Sequence, residues 1–133
     1  MSLNILLTAD VHLGLKFSSF PAIQKELSQA RFETLKHLVD TANHDHCDLF
    51  VVAGDLFDHL RVPERDIVLA AQILEEFQGK LVAVLPGNHD FVVAGESQLW
   101  QRFKSKAGGR VLLLDEKKIY PLAHYDLDAN LYA

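Results

Sequence analysis

The segment "VLPGNHD" (84–90) stops an apolar run at Pro86-Gly87 and then sets an amide, an imidazole and a carboxylate in a row. A strand that buries Val84 and Leu85 has no use for three polar side chains unless they project from its carboxyl end. Two earlier segments end in the same manner. "LNILLTAD" (3–10) runs into Asp10 and His12, and "DLFVVAGD" (48–55) runs into Asp55 and Asp58. These runs are short and apolar, the pattern of buried strands.

Between the runs the apolar spacing changes to that of a helix. Pro21 opens a helical stretch to about residue 44, with Leu27, Ala30, Leu35, Leu38, Val39 and Ala42 on one face. Pro63 and Gly79 bracket a second helix whose inward face is Ile67, Ala70, Ala71, Leu74 and Phe77. "KLVAVLPG" (80–87) is the third strand, and a helix follows around Gln98 to Ser105. "RVLLLD" (110–115), "KKIYPL" (117–122) and "DANLYA" (128–133) read as further strands. The order β-α-β-α-β-α-β-β-β predicts an α/β fold with a parallel sheet and right-handed crossovers. In such a sheet the carboxyl ends of the strands form one edge, where ligands bind. The three polar clusters are expected to converge there.

The chain has 133 residues, of which 49% are hydrophobic and 23% charged. That is enough for one domain, residues 1–133, with a core of its own. No apolar run approaches the ~20 residues of a membrane span. The N-terminus lacks the basic start and small-residue cleavage site of a secretory signal. The one cysteine, Cys47, cannot form an internal disulfide. Together these features predict a cytoplasmic protein without a membrane partner. The net charge of −5 counts against a simple nucleic-acid-binding module, which is usually basic. It does not count against an enzyme that meets phosphate through bound cations.

The residue types suit a metal pair. Asp10 and His12, two apart in an extended segment, project to the same side and can grip one ion together. Asp55 has two oxygens with which to bridge two ions, and Asn88 offers a neutral carbonyl oxygen to the second. Mixed oxygen and imidazole ligation suits manganese, iron or zinc better than calcium. Two ions ~3.5–4 Å apart hold phosphate oxygens and activate water for an in-line displacement. His89, beside a ligand, is the candidate to donate a proton to the leaving oxygen.

The combination D-x-H, G-D-x-x-D and G-N-H-D, each after a strand, resembles the calcineurin-like metallophosphoesterase superfamily over residues 4 to about 90. Within it, "TADVHLG", "ARFETLKHLVDTANHDHCDLFVVAGDLFD" and "VLPGNHD" are most similar to the SbcD-type DNA repair exonucleases. The superfamily's protein phosphatases carry G-N-H-E and an arginine after the second motif. Asp90 and Asp58-His59 stand in those places here. The resemblance implies the N-terminal β-α-β-α-β portion of an αββα sandwich, with the C-terminal portion missing. It implies Asp10 and His12 on the first metal, Asp55 bridging, Asn88 on the second metal and His89 as the catalytic histidine. Asp58, His59 and Asp90 are expected beside the substrate or behind the ligands, with Asp90 anchoring its loop. Two divalent ions, manganese foremost, DNA as substrate, an SbcC-type ATPase partner and a homodimer are implied in the same way. The family's further ligands, a later histidine and a G-H-x-H motif, are not in this chain, whose last histidine is His124.

Two other readings compete. A small-molecule phosphodiesterase or phosphatase would use the same motifs, and the acidic net charge favours it. A non-catalytic binding module would keep the fold with an incomplete metal site. "HDHCD" (44–48) has metal-ligand residue types, but it falls at a predicted helix end, where histidines also favour the helix dipole. Trp100, with Leu99 and Phe103, is expected to pack its helix rather than stack a base.

Overall fold

The computed structural model describes residues 2–92 and 98–133. Its elements follow the expected order: β1 (Ile5–Thr8), α1 (Gln24–His44), β2 (Leu49–Ala53), α2 (Glu64–Glu75), β3 (Leu81–Leu85), α3 (Gln98–Lys106), β4 (Val111–Leu113), β5 (Ile119–Pro121) and β6 (Asn130–Tyr132). A short 3-10 turn at Ala123–Tyr125, unmarked by any periodicity, separates the last two strands. The first four strands form one parallel sheet in the order β1-β2-β3-β4, while β5 and β6 pair antiparallel in a sheet of their own.

Because each crossover steps to the next strand in the same direction, a common handedness places every helix on one face of the sheet. The side chains divide accordingly. Phe50, Val52, Val82, Val84 and Leu113 pack with Phe32, Leu35, Val39 and Ala42 of α1, Ile67, Ala70, Ala71 and Leu74 of α2, and Leu99, Trp100 and Phe103 of α3. Leu49, Leu81 and Ala83 point the other way and meet Tyr120, Leu122 and Leu127 of the β5–β6 layer. The alternation along β2 and β3 is the two-residue period of a strand with both faces covered. All five inward residues predicted for the second helix are buried. On α1 the stripe is set by Phe32 instead of Ala30, which is exposed.

The reading of residues 3–10 as a fully buried strand is corrected. β1 is the edge of the sheet, and the β5–β6 layer does not reach it. Ile5 and Leu7 lie in register with Leu49 and Val51, hence on the face opposite the helices, and are 50% and 67% exposed. Leu3 adds a third exposed apolar side chain. Contiguous apolar surface of this kind promotes association. The protein is expected to self-associate through β1, and the double substitution Ile5→Thr with Leu7→Thr to weaken that association with little loss of stability. Sedimentation velocity across a concentration series, with urea unfolding alongside, measures both; a concentration-independent monomer would contradict the expectation.

Candidate metal centre

The strand registers align the carboxyl ends of β1, β2 and β3, pairing Thr8 with Val52 and Ala53 with Leu85. Past β1 and β2 the chain continues in a bonded ledge. Asp10 N–H donates to Gly54 O (3.1 Å), His12 N–H to Asp55 O (3.0 Å) and Leu13 N–H to Leu56 O (2.9 Å). Asp10 and His12 are not extended, as their spacing had implied. Both adopt left-handed backbone, with φ of 56° and 52°, and so does Asp55 at 54°. This conformation costs on the order of 1–3 kcal/mol for a residue other than glycine, and Asp and His are among the side chains that adopt it most readily. Val11, between the two, turns into the core. The outcome is still convergence: His12 Nε2 lies 3.7 Å from Asp10 Oδ1 and 4.0 Å from Asp55 Oδ2.

Those separations fit a shared cation. Two donors bonded to one ion at ~2.1 Å stand at most ~4.2 Å apart. One ligand atom from each of His12, Asp55 and His89 lies within 4.8 Å of the others. His12 and His89 meet edge to face, with ring centroids 4.8 Å apart. His89 therefore stands beside the His12–Asp55 pair, at a separation wider than the span of two donors on one ion. Asn88 is exposed at the rim. Asp10, His12, Asp55, Asn88 and His89 thus lie on one edge, as the motif spacing implied.

Asp58 joins the two imidazoles. Its Oδ1 lies 3.2 Å from His12 Nδ1, and its main-chain oxygen 3.1 Å from His89 Nδ1. Both oxygens accept, so both Nδ1 atoms donate, leaving each Nε2 for an ion or for proton transfer. His59 is half-buried and bonded through both ring nitrogens. Its Nε2 donates to Gly14 O (3.2 Å) and its Nδ1 accepts from Arg61 N–H (3.1 Å), so it clasps the loops after β1 and β2.

Asp90 is fully buried and anchors the third motif to the second. One carboxylate oxygen accepts from Phe57 N–H (2.9 Å) and the other from Gly87 N–H (2.7 Å). Its main-chain oxygen accepts the Trp100 indole N–H at 2.6 Å. Burial pushes the Asp90 carboxyl up, and the Asp55 carboxylate adds to this, while the backbone donors from Phe57 and Gly87 pull it down. Gly87 is tightly fitted, since a Cβ there would strike the Asp55 carboxylate and lie 2.6 Å from its nitrogen. Asp55 Oδ1 in turn accepts the His89 N–H at 2.9 Å.

The remaining polar candidates stay apart from this edge. In "HDHCD", His44 turns to Asp45 (3.1 Å) and Asp48 accepts from Asn4 N–H (3.0 Å). Burial raises the Cys47 thiol, with Asp45 and Asp48 adding to it. His124 is exposed on the 3-10 turn. Trp100 is a core residue packed on Phe57 and Phe103, as expected. Its bond to Asp90 had no signal in the sequence, because nothing local to either residue marks a pairing ten positions apart.

Asp90→Ala would leave two backbone donors without acceptors, each costing about 1–3 kcal/mol. The expected loss is about 3 kcal/mol or more, read by urea unfolding. Asp90→Asn, which keeps one acceptor and sets an amide N–H against the other donor, should fall between. An Asp90→Ala protein within about 0.5 kcal/mol of wild type, the range of ordinary surface changes, would remove the anchor from this account.

The calcineurin-like phosphoesterase family matches residues 3–131. Among curated proteins, the DNA double-strand break repair protein Mre11 of Aeropyrum pernix is 34% identical over 89 residues, covering 65% of this chain and 21% of the relative. Mre11 of Saccharolobus solfataricus is 32% identical over 89 residues, covering 65% and 22%. The uncharacterized metallophosphoesterase YhaO of Bacillus subtilis is 33% identical over 99 residues, covering 66% and 23%. The matched stretch thus spans about a fifth of the length of these relatives. With a family match across nearly all of its length and the family's three motifs gathered on one sheet edge, the chain belongs to the calcineurin-like phosphoesterases.

Proposed function

We propose that this chain carries the first three metal- and substrate-handling motifs of a metal-dependent phosphodiester hydrolase that acts on DNA. The observation that supports this most is the gathering of His12, Asp55 and His89, with ligand atoms within 4.8 Å of one another at one sheet edge. The likeness to proteins named for DNA double-strand break repair supports DNA as the substrate class. In this reading Asp10, His12 and Asp55 hold one divalent ion, Asp55 and Asn88 face a second, and manganese is the first candidate. Bound cations would supply positive charge to phosphate oxygens and make a water more acidic. Asp58 holds His12 with Nε2 forward, and Asp58 O does the same for His89. His89 is then placed to give a proton to the leaving oxygen. The SbcC-type ATPase partner and the homodimer remain part of the same proposal.

A small-molecule phosphoester hydrolase is the second reading, favoured by the net charge of −5. Salt dependence separates the two, because neutralising many DNA phosphates releases counterions and a small phosphodiester does not. Affinity for a single-stranded oligonucleotide is expected to fall steeply between low and physiological salt; a flat response would favour the small substrate.

Metal binding and turnover test the division of roles. Mn²⁺ titration by calorimetry should show tight binding that His12→Ala or Asp55→Ala abolishes. His89→Ala should retain Mn²⁺ and lower kcat for a phosphodiester with a poor leaving group by about 10²–10⁴-fold. The loss should shrink for a nitrophenyl ester, which needs little protonation. Full rescue of His89→Ala by added Mn²⁺ would make His89 a ligand instead of the acid.

A further inference from the structure

We infer that the cleft beside the metal centre is a nucleobase subsite, in which Phe20 and Phe91 receive the base of a nucleotide whose phosphate lies at His89. This deepens the hydrolase reading and rests on it for the phosphate's position. The cleft has a volume of about 700 Å³ and is continuous with the centre, since Asp58 and His89 line both. That size lies within the ~300–1,000 Å³ of small-ligand sites.

Three features select a base over another occupant. First, Phe20 and Phe91 come from different loops, after β1 and β3, yet line the same space and are 55% and 47% exposed. Flat rings open to solvent at one cleft offer faces to a flat heterocycle, and such stacking tolerates any base. Second, Lys16 and Arg61 line the cleft and form no ion pair among the described residues. Two such cations in a chain of net charge −5, in a cleft that Asp58 also lines, suit a ligand that is aromatic at one end and anionic at the other. An alkyl chain or an apolar peptide would leave them unanswered.

Third, the walls are held before any ligand arrives. The Arg31 guanidinium lies over the Phe17 ring, 5.7 Å from its centroid. His59 ties Gly14 to Arg61, fixing one loop against the other. Phe91 directly follows the buried anchor Asp90, so its main chain starts from a fixed point one residue from His89. A preorganised cleft spends less of its interaction energy on ordering.

The test compares binding of a labelled oligothymidylate with that of an abasic oligomer of equal phosphate number, by fluorescence anisotropy in EDTA. The thymidine oligomer should bind roughly 5- to 100-fold more tightly. The gap should close in Phe20→Ala with Phe91→Ala and persist in Phe20→Tyr with Phe91→Tyr. Equal affinity for the two oligomers, or a gap that survives the double alanine substitution, overturns the subsite. Hydrolysis of methyl 4-nitrophenyl phosphate with Mn²⁺, a substrate without a base, reads the hydrolase assignment separately. Turnover without base preference removes the subsite alone, and base preference without turnover supports the subsite while removing the hydrolase.

Discussion

The Asp90 carboxylate is the fixed point of the molecule. Three strands of a parallel sheet bring their ends to one edge; the loops after β1 and β2 bond to each other through main chain, and the loop after β3 is tied to them through side chains. Asp90 contributes by accepting from Phe57 N–H in the second motif and from Gly87 N–H in its own. Two donors aimed at two oxygens call for a carboxylate, because an amide could satisfy only one. The tie passes on to the helix layer through Trp100, which donates to Asp90 O while packing on Phe57 and Phe103. Burying a carboxylate is unfavourable, which is why its proton is held more tightly than usual. The two backbone donors offset part of that cost, and Asn88 and His89 lie between Gly87 and Asp90 in a four-residue arc anchored at both ends.

Left-handed backbone is concentrated among the candidate ligands. Of the non-glycine residues with left-handed backbone, Asp10, His12 and Asp55 are candidate ligands. An extended continuation of β1 would have carried Asp10 and His12 past the edge. Turning both residues left-handed instead folds their side chains over Asp55, while the bonds to Gly54, Asp55 and Leu56 hold the main chain in place. Gly87 completes the fit from the other side, leaving room for the Asp55 carboxylate that a Cβ would occupy.

Much of this was legible in the sequence, and the reasons differ by feature. Strand ends were readable because each apolar run stops at a polar residue flanked by glycine or an aspartate. Helix faces were readable where several apolar residues recur, as along Ile67–Leu74, and less so on α1, where Ala30 and Phe32 compete for the stripe. The exposure of β1 was not readable, because it depends on strand order and on how far the β5–β6 layer extends. Neither property is local. The same holds for the clasps made by Trp100 and His59, in which a side chain bonds to main chain from another loop. The left-handed backbone of the candidate ligands was missed because an Asp or His at a strand end is compatible with either conformation.

The placement of Asp58 ties these levels together. Three residues after Asp55, it is held by its own N–H on Leu13 O, 2.9 Å away. From that position its side chain sets the His12 tautomer and its main chain sets that of His89. One residue thereby orients an imidazole from the first motif and one from the third while belonging to the second. The two rings then meet edge to face, with centroids 4.8 Å apart, although they come from loops 77 positions apart. An arrangement of this kind needs the parallel register of β1, β2 and β3, which sets the loops that follow them side by side. The sheet's register is thus the constraint that makes the two histidines chemically equivalent in tautomer and distinct only in what they face: His12 toward Asp10 and Asp55, His89 toward the cleft.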